Sequence, residues 1–149
     1  MRSSMKCALI VCFAVAVLLK SSHGLNNTGC GTSKSCYMMP AGCSPSSSSC
    51  LFVSYTYNPT SQEFTFELSG GSGAGTQYAA MAFTSGAEMM NGDLYYCIGS
   101  ELKSGSLGTR YALPTTTPAL PTGVTSISAN TANGVGECTF TRPASITKT

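Results

Sequence analysis

Histidine is nearly absent. The one copy in 149 residues, His23, lies in a segment read below as a removable leader. A chain without it cannot run Ser-His-Asp or Cys-His catalysis, build a His-based zinc site or use an imidazole pH switch. Tryptophan is missing, and Lys, Arg, Asp and Glu make up only 9% of the chain. No basic patch points to nucleic acid or to an anionic membrane. The carboxylates Glu63, Glu67, Glu88, Asp93, Glu101 and Glu137 are scattered, which argues against a calcium site. Glu63 and Glu67 share one strand face and read as a solvated face. A glycosidase-like acid pair would need an apolar environment to raise one pKa. There is no Cys-x-x-Cys. Gly70, Gly71, Gly73 and Gly75 crowd one stretch, but no Gly-Lys-Ser/Thr follows to cradle phosphate. That stretch reads as a strand connection.

Long apolar runs are also missing beyond the N-terminus. Residues 1–24 read as a signal peptide: Arg2 and Lys6, then apolar Cys7 to Leu19, then Ser22-His23-Gly24. The apolar part is too short for a membrane span of about 20 residues. The whole chain has a formal net charge of +2. Loss of Arg2, Lys6 and Lys20 with the leader leaves five basic residues against six acidic ones, or −1.

What remains is rich in Ser, Thr, Gly and cysteine. Cys7 and Cys12 leave with the leader, and Cys30, Cys36, Cys43, Cys50, Cys97 and Cys138 stay. An even number in a small secreted chain predicts three disulfides, in any of about fifteen connectivities. Residues 25–50 hold four of these cysteines and little apolar periodicity, so they read as a loop-rich, cross-linked N-terminal segment. Asn26-Asn27-Thr28 is an N-glycosylation acceptor at Asn26; Asn58-Pro59-Thr60 is not, because of its proline.

From Leu51 the pattern becomes strand-like. Leu51 to Tyr57 and Glu63 to Ser69 alternate around the turn residues Asn58 to Ser61 and predict a hairpin. Tyr78 to Thr84 is apolar on both sides and predicts a strand inside a sandwich rather than at its rim. Further strands are expected at Leu94–Ile98, Leu107–Leu113, Val124–Ala129 and Glu137–Arg142, with Asn130 to Gly136 as a polar turn. Pro114 to Pro121 reads as a crossing loop open to O-glycosylation, since proline cannot donate to a ladder. About seven short strands and no helical periodicity predict an all-β, antiparallel sandwich with a disulfide-rich N-terminal segment.

The most informative stretch runs from Glu88 to Cys97. Met89 and Met90 precede the tight-turn signal Asn91-Gly92-Asp93, and a strand carrying Cys97 follows. Cys97 and Cys138 both fall in predicted strands, and a bridge between them is the favoured pair. The four earlier cysteines would then pair among themselves.

Several segments together resemble a DOMON domain, in particular that of ferric-chelate reductase-like proteins. They are Cys30-Gly31-Thr32-Ser33-Lys34-Ser35-Cys36, then Pro40, Cys43 and Cys50, then Phe64-Thr65-Phe66-Glu67-Leu68-Ser69-Gly70. Tyr78-Ala79-Ala80-Met81-Ala82-Phe83-Thr84, Met90 with Asp93-Leu94-Tyr95-Tyr96-Cys97, and Cys138-Thr139-Phe140-Thr141-Arg142 complete the set. The resemblance spans about residues 29–143 and leaves 144–149 as a tail. It implies an immunoglobulin-like β-sandwich, in agreement with the strand pattern. Members bind haem b or sugars. In the haem-binding branch the resemblance implies Met90, or Met89 with a one-residue slip, as one axial ligand, and a histidine near the C-terminal end as the other. No histidine lies there, and nothing supports Met81 or Lys148 as a substitute. In reductase-type relatives the domain precedes a transmembrane cytochrome b561 region, for which this chain has no apolar span.

The expectation is a secreted binding or extracellular-matrix module, with no catalysis and no cofactor of its own. Its partner would be an extracellular ligand or matrix component, with carbohydrate stacked on Tyr95 and Tyr96 as one option. Nucleic acid and a membrane span are not expected. A secreted b-type cytochrome using Met90 is the alternative, and a structural matrix component is a further one.

Overall fold

The computed structural model describes residues 24–71, 78–84, 86, 90–109 and 115–145. Among them are nine strands and no helix: β1 Ser35–Met39, β2 Leu51–Asn58, β3 Glu63–Gly70, β4 Tyr78–Phe83, β5 Asp93–Ile98, β6 Glu101–Ser106, β7 Thr115–Thr117, β8 Thr125–Ala132 and β9 Val135–Pro143. All neighbours pair antiparallel. One sheet has the order β1-β2-β3-β9-β8, the other β4-β5-β6-β7. They pack as a sandwich, with β4 over β3, β5 over β9 and β6 over β8.

Period-two alternation builds the core. Phe66 and Leu68 on β3 face inward with Cys138 and Phe140 on β9, and meet Ala79, Tyr95, Cys97 and Leu102 from the other sheet. Phe140 stacks between Phe66 and Tyr95, with ring centroids 5.3 and 5.2 Å away. Such offset aromatic contacts add to plain area burial. Cys97 is bonded to Cys138, so a covalent link crosses the interior from β5 to β9.

The β2–β3 hairpin forms where alternation placed it. Asn58 closes its turn, its side-chain carbonyl accepting from the N–H groups of Thr60 and Ser61. Elsewhere pairing overrides local pattern. Residues 25–50 are loop-rich and cross-linked as expected, but hold one strand, since Ser35–Met39 pairs with β2 and is stapled by Cys30–Cys36; Cys43–Cys50 closes the loop that follows.

Residues 107–109 of the strand expected at Leu107–Leu113 are not in a strand, and the pairing on this side of β5 falls earlier, at β6. The turn at Gly99-Ser100 returns the chain directly onto β5, and residues 110–113 lie outside the described set. The Thr/Pro-rich stretch is not only a crossing loop, since Thr115–Thr117 pairs with β6. An edge of three residues needs few donors, so nearby proline does not prevent it.

The polar turn expected at Asn130 to Gly136 shrinks to Asn133-Gly134, whose φ of 54° and 76° suit a two-residue hairpin. β8 runs on to Ala132, and a bulge between Ser126 and Ser128 explains its imperfect alternation. Tyr78–Phe83 is the edge of its sheet and not an inner strand. Its side chains read as apolar on both faces, but position in a sheet is set by which neighbours exist.

The outer face of the five-stranded sheet is not simply solvated either. The N-terminal segment lies across it. Phe52 and Ser54 are buried there, Ser69 donates to the Pro45 carbonyl at 2.8 Å, and Lys34 Nζ sits 5.5 Å from the Phe52 ring centroid. Glu67 is therefore half-buried, held by Lys34 at 2.6 Å and by the Ser54 hydroxyl. That corrects the solvated-face reading for Glu67.

Glu137 on β9 lies beneath the same cover. Burial raises its pKa, opposed by a hydrogen bond from the Leu25 backbone. A raised carboxylate pKa means stability fully present at low pH and partly lost as pH rises through the folded-state value. Glu137→Gln is expected to unfold at a higher temperature than the natural chain at pH 7. The gain should be under about 1 kcal/mol once solvent screening is allowed for, and should vanish near pH 3. Thermal melts at the two pH values check this.

Candidate functional site

The sequence reading centred on Met90. It lies half-buried just ahead of β5; Met89 lies outside the described residues. Asn91 takes φ 53°, and Gly92 has no room for a side chain, since a Cβ there would stand 2.6 Å from the Phe83 carbonyl oxygen. Asn91 N–H donates to Gly108 O at 3.3 Å and Leu107 N–H to Gly92 O at 2.9 Å. The turn thus holds Met90 at one end of the sandwich, beside the entry to β5.

The side chain that reaches this end from the C-terminal strand is Arg142. It faces inward because it pairs with inward-facing Phe64 in the β3–β9 register. Its Nη2 donates to Asp93 Oδ2 at 3.1 Å and its Nε to the Tyr95 hydroxyl at 3.4 Å. Its guanidinium carbon lies 4.6 Å from the Phe83 ring centroid. The Arg142 side chain is 11% exposed and that of Asp93 23%. A guanidinium has five N–H donors and no lone pair to offer, so it cannot ligate iron. It also places a fixed positive charge in the end of the core.

A haem held here would need a second axial donor. The described residues at this end supply one soft sulfur, Met90, and an arginine already paired. Met81 is packed against the core and is not free to serve; Lys148 and His23 lie outside the described residues. The donors among the described residues do not fit a b-type haem. No group of three or more His, Cys, Asp and Glu that could hold a metal ion occurs among the described residues.

The other predicted site residues separate. Tyr95 is fully buried, so it offers no face to a sugar, while Tyr96 lies on the opposite side of β5, edge-on to Tyr78 at 6.2 Å. Alternation along β5 made that split legible, since adjacent residues face opposite ways. Asn26 is exposed, and its side-chain oxygen accepts from Thr28 N–H at 2.9 Å. Sequence reasoning missed a groove of about 390 Å³ between β6, β7 and β8, where the bulge presents Ile127 beside Leu120 and Thr117. No motif marks it, because it arises from how three successive strands pack and not from any one of them.

Comparison with known proteins bears on the whole sandwich. The family model of the DOMON domain matches residues 47–149. The chain belongs to the DOMON-domain family. A Danio rerio protein named as a candidate ferric-chelate reductase 1 is 32% identical over 117 residues, covering 75% of this chain and 20% of that protein. The chain therefore spans about a fifth of that relative's length. No solved structure matches the chain. The DOMON match begins inside the Cys43–Cys50 loop, so β1 and its disulfide lie outside it. Among the described residues no helix is long and apolar enough to cross a membrane.

Proposed function

We propose that this DOMON domain is a secreted, cystine-stabilised binding module that engages an extracellular or matrix partner and performs no catalysis itself. The observation that carries this reading is Arg142, paired with Asp93 and Tyr95 at the end of the core beside Met90. The C-terminal strand brings to this end a cation already satisfied by protein partners, and such a group does not donate to a redox centre. Three disulfides suit an oxidising compartment, and the N-terminal pattern of residues 1–24 suits export. Exposed Asn26, in its Asn-x-Thr setting, is the proposed glycan acceptor.

The test is an absorption spectrum of secreted protein after incubation with haem and gel filtration. No Soret band is expected to survive. A band that does survive, and is lost in Met90→Ala, overturns the reading in favour of a b-type cytochrome. Mass spectrometry of the same material should show the leader removed and Asn26 glycosylated.

A further inference from the structure

Among the described residues the two sheets are unequal, and the mismatch leaves a strand position beyond β4 that none of them fills. The five-stranded sheet continues past β3 to β2 and β1, while the other sheet ends at β4, which lies over β3. The core-side face of β1 and β2 therefore projects beyond the sandwich. On it Tyr37 is 53% exposed, Met39 56%, Tyr55 44% and Tyr57 48%. Leu51 and Val53 share that face, paired with Met39 and Tyr37. Tyr55 and Tyr57 lean on Phe64, with centroids 6.0 and 4.8 Å away, so the shelf is continuous with the aromatic core. An exposed contiguous apolar surface of this kind marks an interaction site.

The edge of β4 that no described strand pairs with borders this shelf. Its residues, Tyr78-Ala79-Ala80-Met81-Ala82-Phe83, include no charge and no proline. Those are the devices that normally blunt an edge. β1 and β2 also carry no charged residue. Strands in a sheet lie about 4.8 Å apart and stacked sheets about 10 Å apart, so the position beyond β4 falls over β2.

Resting on the binding-module reading, we propose that this position receives an extended segment of a partner polypeptide. The segment adds to β4 as a further strand and seats alternate apolar side chains on Val53, Tyr55 and Tyr57. Main-chain pairing along β4 supplies affinity, and the shelf supplies preference for side chains at every second residue. A second folded copy does not fit the slot. Pairing β4 with its own copy would bring that copy's β3 into the space that β2 and β1 fill. Only a strand without a layer beneath it can enter. With no charge on either wall, the segment is uncharged along the part that docks, because an unpaired charge would be desolvated there.

Panning random peptides of about ten residues against the full chain tests this. Enriched sequences are expected to alternate apolar with uncharged polar residues. The best such peptide should slow hydrogen exchange at residues 78–83. It should lose at least about tenfold in affinity when N-methylated on the amides of one edge, and about tenfold against Tyr55→Ser/Tyr57→Ser. Both tyrosines are exposed, and an unchanged near-UV spectrum will show that this variant folds. No enriched peptide, enrichment without alternation, equal binding to the tyrosine variant, or unchanged exchange in β4 each overturns the proposal. Binding of soluble neutral polysaccharide to the shelf instead would overturn the strand slot while leaving a binding module. A surviving Soret band would overturn the module itself.

Discussion

Replacing Cys97 and Cys138 together by alanine is expected to lower the unfolding free energy by about 4 kcal/mol. The two are 41 residues apart in sequence. The chain-entropy model assigns that amount to the denatured-state freedom that a loop of this length removes. Small domains have a total stability of about 5–15 kcal/mol, so this one bond supplies a large share of it. The position reinforces the effect. Both cysteines are buried between the sheets, and the bond links β5 directly to β9. The Cys30–Cys36 and Cys43–Cys50 bonds close much shorter loops, 6 and 7 residues apart, so their loss should cost less. Urea unfolding of the three paired-alanine variants ranks them, and a Cys97/Cys138 variant as stable as the natural chain would contradict the model.

Asp93→Ala is expected to cost about 3 kcal/mol, because it leaves the guanidinium of Arg142 mostly buried without its carboxylate. The Arg142 side chain is only 11% exposed, so solvent cannot replace the lost partner. Removing both charges should cost less than the sum of the single changes. Arg142→Met with Asp93→Leu puts apolar groups of similar size against Phe83, and such replacements are often close to neutral. A double-mutant cycle measured by denaturant unfolding gives the coupling. Additive effects would mean that the pair is not a unit. The cycle also bears on function, since it asks whether this end of the core is held shut by the ion pair.

Some of this architecture could be read from residue order alone. Phe64, Phe66 and Leu68 alternate against Glu63, Thr65 and Glu67, and β3 follows from that period. The Asn91-Gly92 turn, the strand carrying Cys97 and the last strand carrying Cys138 and Phe140 were legible for the same reason. Short-range chemistry specifies them. The shelf was not legible, although Tyr37, Tyr55 and Tyr57 are plain in the sequence. Alternation says that Val53, Tyr55 and Tyr57 share a face, but not that no strand lies opposite. Glu67 shows the converse, a carboxylate on the polar side of its strand that a distant lysine and serine enclose.

Residue order by itself determined that this is an all-β, cysteine-linked chain of the DOMON kind with no imidazole beyond His23. Those properties depend on composition and on periods of two residues. The three-dimensional packing decided which strands sit at the edges, that Arg142 reaches Asp93 and Tyr95, and that two sheets of unequal width leave a face uncovered. Such features join residues about 50 positions apart. They arise from the offset between layers, a quantity that no local stretch of sequence encodes.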